Sequence, residues 1–374
     1  MRGLLNRILN RPSIDAVNDF EILNGGNPAS RNILIFTEHI NATYFIGFDI
    51  PLRRLHAQGK VNFAVVSQKH VQAKGIGCWE RWADFFRPDV VVLTRYGQPY
   101  GADILDFFHR QGVRVIYHID DNLLDIPDSL GTEIRQRQGA TGMIDARRYL
   151  LGNCDLIYAS TSHLATTLQM QFPTQRVFHG INTPYMEDHI QVTKRMRPSH
   201  PVVGYMGSKG HQNDLELVVP ALEQLMCERP SLHFEVFGTI RMPKLLESFG
   251  NRVHCWDVQK SYMNFLATLA SLNWDIGLAP LADEPFNRCK APTKFIEYTA
   301  AGIPLIATEM PVYRNAVPDG GGLLVQGDWH SAISTLLDSP QARADAVLIA
   351  QRHCAKAFAV GALERQLLYL FAQV

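Results

Sequence analysis

The sequence predicts two doubly wound α/β domains in series, followed by a helical tail. Short apolar runs of strand length alternate with amphipathic helical patterns, which is typical of parallel sheets covered on both faces. The alternation stops at a polar stretch, residues 188–200, and then starts again. The length of 374 residues is that of two ordinary domains.

In the first half of the chain, apolar runs predict strands at residues 32–36, 63–66, 90–93, 113–119 and 156–159. The segments between and after them have helical periodicity and predict helices at residues 50–58, 79–86, 102–111, 143–151 and 164–171. Gly59 and Gly112 each follow a helix, at the position where a left-handed cap residue is expected.

After the polar stretch, the same reasoning predicts strands at residues 202–206, 233–237, 253–255, 275–279, 305–307 and 322–325. Helices are expected at residues 215–228, 243–249, 262–272, 292–301 and 331–337, with tail helices near 341–358 and 362–371. We therefore expect an N-terminal appendage (1–30), a first domain (31–195), a second domain (196–355) and a C-terminal helix (356–374).

Composition excludes several classes of protein. Lys plus Arg and Asp plus Glu are both 36, so a protein that grips a nucleic-acid backbone is not expected. The six cysteines form no CxxC pair and have no zinc-ligand spacing, which favours reduced thiols in the cytoplasm. Residues 1–12 carry three arginines and a short apolar face, which suits either a weak contact with anionic membrane or a solvated cap.

Residues 286–304 contain the strongest local signal. Pro292 suits the first turn of a helix, which places Lys290 and Thr293 at its N-terminus. Free backbone N–H groups and the helix dipole favour an anion there. Glu297 lies one turn deeper on the same face, where it suits ribose hydroxyls while the phosphates lie outside. The alternative is a surface helix in which Lys294 and Glu297 form a solvated pair.

A glycine-rich loop follows the first strand of the second domain. Gly207 and Gly210 allow a phosphate to approach the backbone, and Ser208, Lys209 and His211 are the side-chain candidates. The loop matches neither the dinucleotide fingerprint nor the P-loop, so NAD or ATP is not indicated. The alternative interpretation is an ordinary turn between a strand and a helix.

The first domain offers two groups of candidates at strand ends. Asp120 and Asp121 follow the strand at residues 113–119, while Glu38, His39 and Asn41 follow the first strand. The carboxyl ends of parallel strands are where ligands bind in open α/β sheets, so these side chains are expected to face a cleft. One aspartate of the pair, and not both, is expected to contact a ligand in that cleft. The alternative is a turn cap.

The segment 287–304 resembles the nucleotide-sugar site of GT-B glycosyltransferases, in particular the family 4-like enzymes of bacterial polysaccharide synthesis. Those enzymes carry a helix of the form K-x-x-E-Y-x-A-x-G-x-P, matched here by Lys294, Glu297, Tyr298, Ala300, Gly302 and Pro304. An N-x-x-K-x-x-x-K lead-in is matched by Asn287, Lys290 and Lys294. One position departs from the commoner form: Cys289 stands where a second glutamate is usual, eight residues before Glu297.

The resemblance implies a GT-B fold whose tail helix crosses back to the first domain. It implies that Glu297 contacts the donor ribose, that Lys290 and the loop at residues 207–211 contact the diphosphate, and that Gly238 lies near the base or phosphates. One aspartate of the pair would contact the acceptor hydroxyl or act as a base. The implied reaction moves a sugar from a nucleoside-diphosphate sugar to a glycan or lipid-linked glycan, with retained configuration. Local cations and amides suffice for the leaving diphosphate, so no metal or cofactor is expected.

Two other functions remain compatible with the sequence. A GT-B nucleotide-sugar epimerase would share the nucleotide contacts and need no acceptor. A non-catalytic GT-B-like protein that binds a glycan or a partner would explain the glutamate missing at Cys289, although Lys290 and Glu297 argue against it. The protein is expected in the cytoplasm, including the inner face of the membrane where lipid-linked acceptors reside.

Overall fold

The structure is a computed structural model that describes residues 19–186, 200–257 and 261–374. The basic segment at residues 1–12 lies outside the described residues, as do most of the polar stretch and the predicted domain boundary near residue 195.

The first domain is built on a seven-stranded sheet in the order β1-β3-β2-β4-β5-β6-β7. Its strands are β1 (Ile22–Asn24), β2 (Arg31–Thr37), β3 (Val61–Ser67), β4 (Val90–Thr94), β5 (Arg114–Ile119), β6 (Leu156–Ala159) and β7 (Val177–His179). Among the described strands of this sheet, β1 and β3 are the only antiparallel pair. The order of the parallel strands reverses between β2 and β4, and this is where a parallel sheet leaves a crevice.

Helices cover both faces of this sheet. Helix α1 joins three consecutive segments, Ala42–Tyr44, a π-helical turn at Phe45–Asp49, and Ile50–Ala57. The others are α2 (Gln68–Lys74), α3 (Cys78–Phe86), α4 (Gly101–Arg110), α5 (Thr132–Gln138), α6 (Thr141–Asn153) and α7 (Ser162–Gln171), with a short 3₁₀ turn at Asp128–Leu130.

The second domain has a six-stranded parallel sheet in the order β10-β9-β8-β11-β12-β13. The strands are β8 (Val202–Gly207), β9 (His233–Gly238), β10 (Val253–Trp256), β11 (Ile276–Ala279), β12 (Leu305–Thr308) and β13 (Leu323–Val325). Its helices are α8 (Gln212–Glu216), α9 (Val219–Glu228), α10 (Lys244–Glu247), α11 (Tyr262–Ser271), α12 (Pro285–Arg288), α13 (Thr293–Ala300), α14 (Pro311–Arg314), α15 (Trp329–Asp338) and α16 (Pro340–Ala357).

The last helix, α17 (Val360–Gln373), leaves the second domain and packs on the first. It buries Leu363, Leu367, Leu370 and Phe371 in the core on one face of the first sheet. The segment that leaves the first domain and the segment that returns to it are in contact. The Tyr185 amide donates a hydrogen bond to the Phe358 carbonyl at 2.7 Å. The predicted pair of doubly wound domains with a returning tail helix is confirmed.

All eleven predicted strands occur, each within two residues of its expected ends. Two strands were not predicted, β1 and β7, and each has only three residues. Residues 22–24 of the predicted appendage therefore form the edge strand of the first sheet. Among the described helices, none is both long and apolar enough to cross a membrane.

Candidate functional site

The carboxyl ends of both sheets open onto one cleft between the domains. Its larger cavity, about 530 Å³, lies between the start of α1 and the ends of β8 and β9 in the second domain. A smaller cavity of about 200 Å³ adjoins it and reaches Asp120, Asp121 and Lys290. The two cavities share the lining residues Ala42, Thr43, His211, Thr293, Lys294 and Glu297.

Helix α13 is anchored where the second sheet divides. Strands β8 and β11 pair only through Val203–Ile276 and Gly204–Gly277 and then part, which is the reversal point of the sheet. The Tyr298 hydroxyl bridges this gap, donating to the Leu278 carbonyl at 3.0 Å and accepting from the Met206 amide at 2.9 Å. These hydrogen bonds of Tyr298 fix the position of α13. The N-terminus of the helix therefore lies at the crevice where ligands of such sheets bind.

Two lysines stand at the start of α13. Lys294 lies in the first turn, with its ammonium 5.5 Å from the centre of the Tyr205 ring. Burial, together with the neighbouring Lys290, lowers the pKa of Lys294 to about 8. The Lys290 ammonium lies 4.8 Å from the centre of the Phe286 ring and 3.8 Å from an Asp121 oxygen across the cleft. Two close cations beside free helix amides make this region strongly favourable for an anion.

Glu297 lies one turn into the helix and lines both cavities. Only 8% of the residue is exposed, and this burial raises the pKa of its carboxyl to about 7. The nearby Tyr262 hydroxyl and the charge of Lys294 lower that pKa and partly offset the effect of burial. The carboxyl therefore changes its charge near neutral pH.

His211, at the end of the glycine-rich loop, is held by Asp214. Its Nδ1 lies 2.9 Å from one Asp214 oxygen, and the other oxygen accepts from the Ala282 amide at 3.0 Å and from Asn287 at 3.2 Å. Burial, Lys294 and Lys290 lower the pKa of His211 to about 4, so the ring is neutral. Because the ionised Asp214 accepts from Nδ1, the proton is assigned to Nδ1, and Nε2 is left as an acceptor.

The loops after β8 and β9 are joined by backbone contacts. The Gly207 carbonyl accepts from the amides of Thr239 at 3.1 Å and Ile240 at 3.3 Å. Gly238 has a φ of +123°, and a Cβ there would lie 2.2 Å from the Gly207 carbonyl oxygen. Only glycine fits this position, which brings both loops to the wall of the larger cavity.

On the first-domain side of the cleft, Arg95 forms ion pairs with three carboxylates. Its guanidinium lies 3.2 Å from Glu38, 2.6 Å from Asp120 and 3.2 Å from Asp121. Burial alone would raise the pKa of Asp120, but Arg95, His118 and the Thr43 hydroxyl outweigh it and hold that pKa below its usual value. Burial would lower the pKa of Arg95, but the three carboxylates outweigh it and raise that pKa, so the guanidinium keeps its charge.

The two aspartates differ in their surroundings. Asp120 is buried, and its second oxygen accepts from the Thr43 hydroxyl at 3.0 Å. Asp121 is half-buried and lies opposite Lys290 across the smaller cavity. Asp121 is therefore the member of the pair that is open to a ligand in the cleft.

Solved structures similar to the whole chain identify this architecture. HepE of Anabaena, solved with UDP and glucose, is 14% identical over 91% of this chain and 99% of its own, with a TM-score of 0.64. A glycosyltransferase of Rickettsia africae ESF-5 is 11% identical over 92% and 98%, with a TM-score of 0.63. The UDP-forming α,α-trehalose-phosphate synthase of Burkholderia xenovorans is 11% identical over 92% and 99%, with a TM-score of 0.62.

The chain has the GT-B fold. At these identities the likeness establishes the architecture, and the expectation of a GT-B fold is confirmed. No protein-family model and no curated protein sequence matches the chain.

Lys209 lines neither of the two cavities described above. Its ammonium lies 3.1 Å from Glu133 of the first domain, and its side chain lines a separate groove. Its backbone amide bonds the Thr239 hydroxyl at 3.0 Å. Ser208, in contrast, lines the larger cavity.

The three candidate residues in the loop after β2 lie in different surroundings. Glu38 is buried in the Arg95 cluster, and Arg95 with the Gln138 amide outweighs the effect of burial and lowers its pKa. His39 is exposed, with its ring 3.6 Å from Glu38. Asn41 caps α1, accepting from the Tyr44 amide at 3.3 Å, and lines the larger cavity.

Cys289 faces the first domain instead of the cavities. It is 1% exposed, its carbonyl accepts from the Thr161 hydroxyl at 3.0 Å, and its Sγ lies 3.9 Å from the Thr167 hydroxyl. Burial raises the pKa of the thiol. The position where the resemblance leads to a second glutamate is here a contact between the domains.

A surface segment of the first domain, residues 128–138, reaches over to the second domain, and we call it the strap. The Ser129 hydroxyl donates to Glu284 at 2.7 Å, and Asn213 donates to the Ser129 carbonyl at 2.8 Å. At its other end, Gln138 donates to Glu38 of the Arg95 cluster. The strap thus connects the second domain to the carboxylates of the first.

Sequence reasoning missed three residues of the site. Arg95 lies two residues after the strand predicted at residues 90–93, so the rule that identified the aspartate pair also applies to it. Thr43 and Tyr262 carry no such signal, because their partners Asp120 and Glu297 lie in other elements. In the described part of the chain, no group of three or more His, Cys, Asp or Glu side chains is placed to hold a metal ion.

Proposed function

We propose that the protein is a glycosyltransferase that moves a sugar from a nucleoside-diphosphate sugar to a glycan or lipid-linked glycan. One observation carries the proposal: the cleft of this GT-B fold places Lys290, Lys294 and the α13 amides beside the buried Glu297. HepE was solved with UDP-glucose, and the pneumococcal O-GlcNAc transferase GtfA, with a TM-score of 0.58, was solved with UDP and GlcNAc. Both support a uridine diphosphate donor.

The donor would lie on the second domain. Its diphosphate occupies the start of α13 between Lys290 and Lys294, and its ribose lies next to Glu297. The nucleoside then fills the larger cavity along Tyr262 and Phe265. The acceptor enters from the first-domain side, past Asp121.

During transfer, the bond from the sugar carbon to the diphosphate breaks and a bond to the acceptor oxygen forms. Negative charge grows on the departing diphosphate, where Lys290, Lys294 and the helix amides stabilise it. The acceptor hydroxyl loses its proton, and Asp121 is the carboxylate on that side of the cleft. We further propose retained configuration, which rests on the resemblance in residues 287–304, and transfer without a metal.

The first test is isothermal titration with UDP, GDP and dTDP, with and without Mg²⁺. We expect UDP to bind without the metal, and Lys290→Ala to weaken binding about 10-fold or more, because a charge-assisted contact contributes about 1.5–3 kcal/mol. Lys244→Ala, an exposed lysine of the same domain, is the matched control. If the folded protein binds none of these nucleotides, the proposal is wrong.

The second test follows the products with a panel of donors and acceptors. A glycosylated acceptor with release of nucleoside diphosphate is the expected result. An epimerised nucleotide sugar without transfer would instead identify an epimerase. Nucleotide binding with no turnover of any donor would favour a non-catalytic role.

We also propose a cytoplasmic site of action at the inner face of the membrane, because all six cysteines are free thiols and lipid-linked acceptors reside there. Deleting residues 1–12 is expected to reduce flotation with anionic liposomes, most strongly at low salt. Equal flotation of both proteins would contradict a membrane contact of this segment.

A further inference from the structure

Arg95 has an uncommon backbone conformation directly after β4. Its φ is +54°, in the left-handed region that residues other than glycine seldom adopt. The Arg95 amide donates to the His118 carbonyl of β5 at 2.9 Å, and the Glu38 amide, after β2, donates to the carbonyl of Thr94 at 3.1 Å. The loops on both sides therefore fix this backbone. Residues held in such conformations are concentrated at functional sites.

Two of the three carboxylates fix the guanidinium of Arg95. Its Nε lies 3.2 Å from Glu38, and its Nη1 lies 2.6 Å from Asp120. Both carboxylates are buried. Glu38 also accepts a hydrogen bond from Gln138, and Asp120 also accepts one from the Thr43 hydroxyl at 3.0 Å. The guanidinium therefore has a defined position that does not depend on the third carboxylate.

The third carboxylate, Asp121, lies between two cations. Its Oδ2 accepts a hydrogen bond from Nη1 of Arg95 at 3.2 Å, whereas its Oδ1 lies 3.8 Å from Nζ of Lys290, beyond hydrogen-bond distance. The side chains of Asp121 and Lys290 are only 22% and 14% exposed, so these opposite charges attract each other with little screening. The hydrogen bond to Arg95 opposes a closer approach of the aspartate to the lysine.

We propose that Arg95 is a positioning residue that holds Asp121 away from Lys290 and so keeps the lysine available to the diphosphate of the donor. This inference rests on the proposed donor site at the start of α13. Arg95 itself lines neither of the two cavities, so it acts through the aspartate. Without the guanidinium, Asp121 pairs with Lys290 and competes with the diphosphate.

The test is titration calorimetry with UDP on Arg95→Gln and on two double variants. Arg95→Gln is expected to weaken UDP binding about 5-fold or more, because Asp121 then competes for Lys290. Adding Asp121→Asn removes the competitor and should restore most of the affinity. Adding Asp120→Asn instead removes the same charge from the carboxylate that has no contact with Lys290, and the affinity should stay low.

Arg114→Gln is the matched control and should bind UDP like the wild type. Arg114 is also a first-domain arginine with an aspartate partner, Asp155 at 2.6 Å, but its side chain is 63% exposed. Thermal unfolding reports whether each variant is folded. If Arg95→Gln does not fold, the same comparison is made with Glu38→Gln added to every variant. That pair of substitutions removes one positive and one negative charge, so the net charge of the cluster is unchanged.

Three results would contradict the inference, and they can be told apart. Unchanged UDP affinity in Arg95→Gln would overturn the role of the arginine. Equal recovery with either aspartate substitution would mean that Arg95 supplies only net charge and does not position Asp121. Wild-type protein that binds no UDP would overturn the donor site itself, and this inference with it.

Discussion

Asp120 and Asp121 are neighbours in the chain, yet the fold places them in different surroundings. Asp120 is buried between Arg95 and Thr43, and these contacts hold its pKa low. Asp121 shares Arg95 but faces Lys290 across the cleft. One side chain therefore supports the cluster, and the other is available to a ligand.

We expect Asp121→Asn to lower the rate of glycosyl transfer about 100-fold or more with little effect on UDP affinity, because general base catalysis contributes roughly 10²–10⁴-fold. Steady-state rates and titration calorimetry measure the two effects separately. Asp120→Asn serves as the comparison and should lower the melting temperature, because Arg95 loses a buried partner. Full transfer activity in Asp121→Asn would exclude this aspartate from the chemistry.

A second prediction at this scale concerns the loop after β9. Gly238→Ala should destabilise the protein by about 2 kcal/mol or more, since it combines a positive φ with a Cβ 2.2 Å from a carbonyl oxygen. Gly250 also has a positive φ, but a Cβ there meets nothing within 4 Å. Gly250→Ala should therefore cost only about 1 kcal/mol. Chemical denaturation measures both, and equal losses would show that the clash is relieved by movement of the loops.

At the scale of elements, the strap is the structure that joins the two halves of the site. It contacts the second domain through Ser129 and Glu133, and the first-domain carboxylates through Gln138. We expect these contacts between the domains to stabilise the closed form of the cleft and to add little to the stability of either domain alone.

Ser129→Ala removes the hydrogen bond to Glu284 and should raise the KM for the donor about 3- to 10-fold, the factor expected for one hydrogen bond of about 0.5–1.5 kcal/mol. The melting temperature should change little, because Ser129 is partly exposed. Ser248→Ala, whose hydroxyl bonds a carbonyl within the second domain, is the matched control. An unchanged KM would mean that the strap has no part in closure.

The sequence predicts elements well where periodicity is strong and fails where it is absent. Helices α2 and α5 were not predicted, and each buries a single side chain, Val71 and Gln138 respectively. A helix with one buried residue has no repeating pattern of apolar positions, so hydrophobic periodicity cannot reveal it. The same holds for β1 and β7, whose three residues are too few to show strand alternation.

Within the site, the sequence identified residues that belong to one local motif. Lys290, Thr293 and Glu297 follow from the start of a single helix. The ion pair between Arg95 and Glu38 and the closeness of Tyr262 to Glu297 depend on how separate elements pack, so no sequence spacing encodes them. Lys209 lies in the predicted loop, but its ammonium pairs with Glu133 of the strap. Its side chain therefore does not line the two cavities.

At the scale of the whole molecule, the first domain is built from two separate parts of the chain. The core on one face of the first sheet includes four side chains of α17, which follows the whole second domain in sequence. Gln366 reinforces this docking, bonding the Tyr158 hydroxyl at 2.7 Å and the Ile181 amide at 2.8 Å. The first domain is therefore discontinuous in sequence.

Leu367→Ala should destabilise the protein by about 2–5 kcal/mol, the range for removing a fully buried leucine side chain. Leu348→Ala on the neighbouring helix α16 should have an effect within about 0.5 kcal/mol, because Leu348 is 50% exposed. Urea denaturation provides the comparison. Equal effects of the two substitutions would show that α17 adds little to the first-domain core.

The returning helix also determines the order in which the protein can mature during synthesis. When the ribosome has finished residue 186, the first sheet still has an apolar face that residues 360–373 will later cover. At about 5–20 residues per second, translation of the second domain takes roughly 9 to 35 seconds before that cover exists. Throughout this interval the first domain is an incomplete folding unit with an uncovered apolar face.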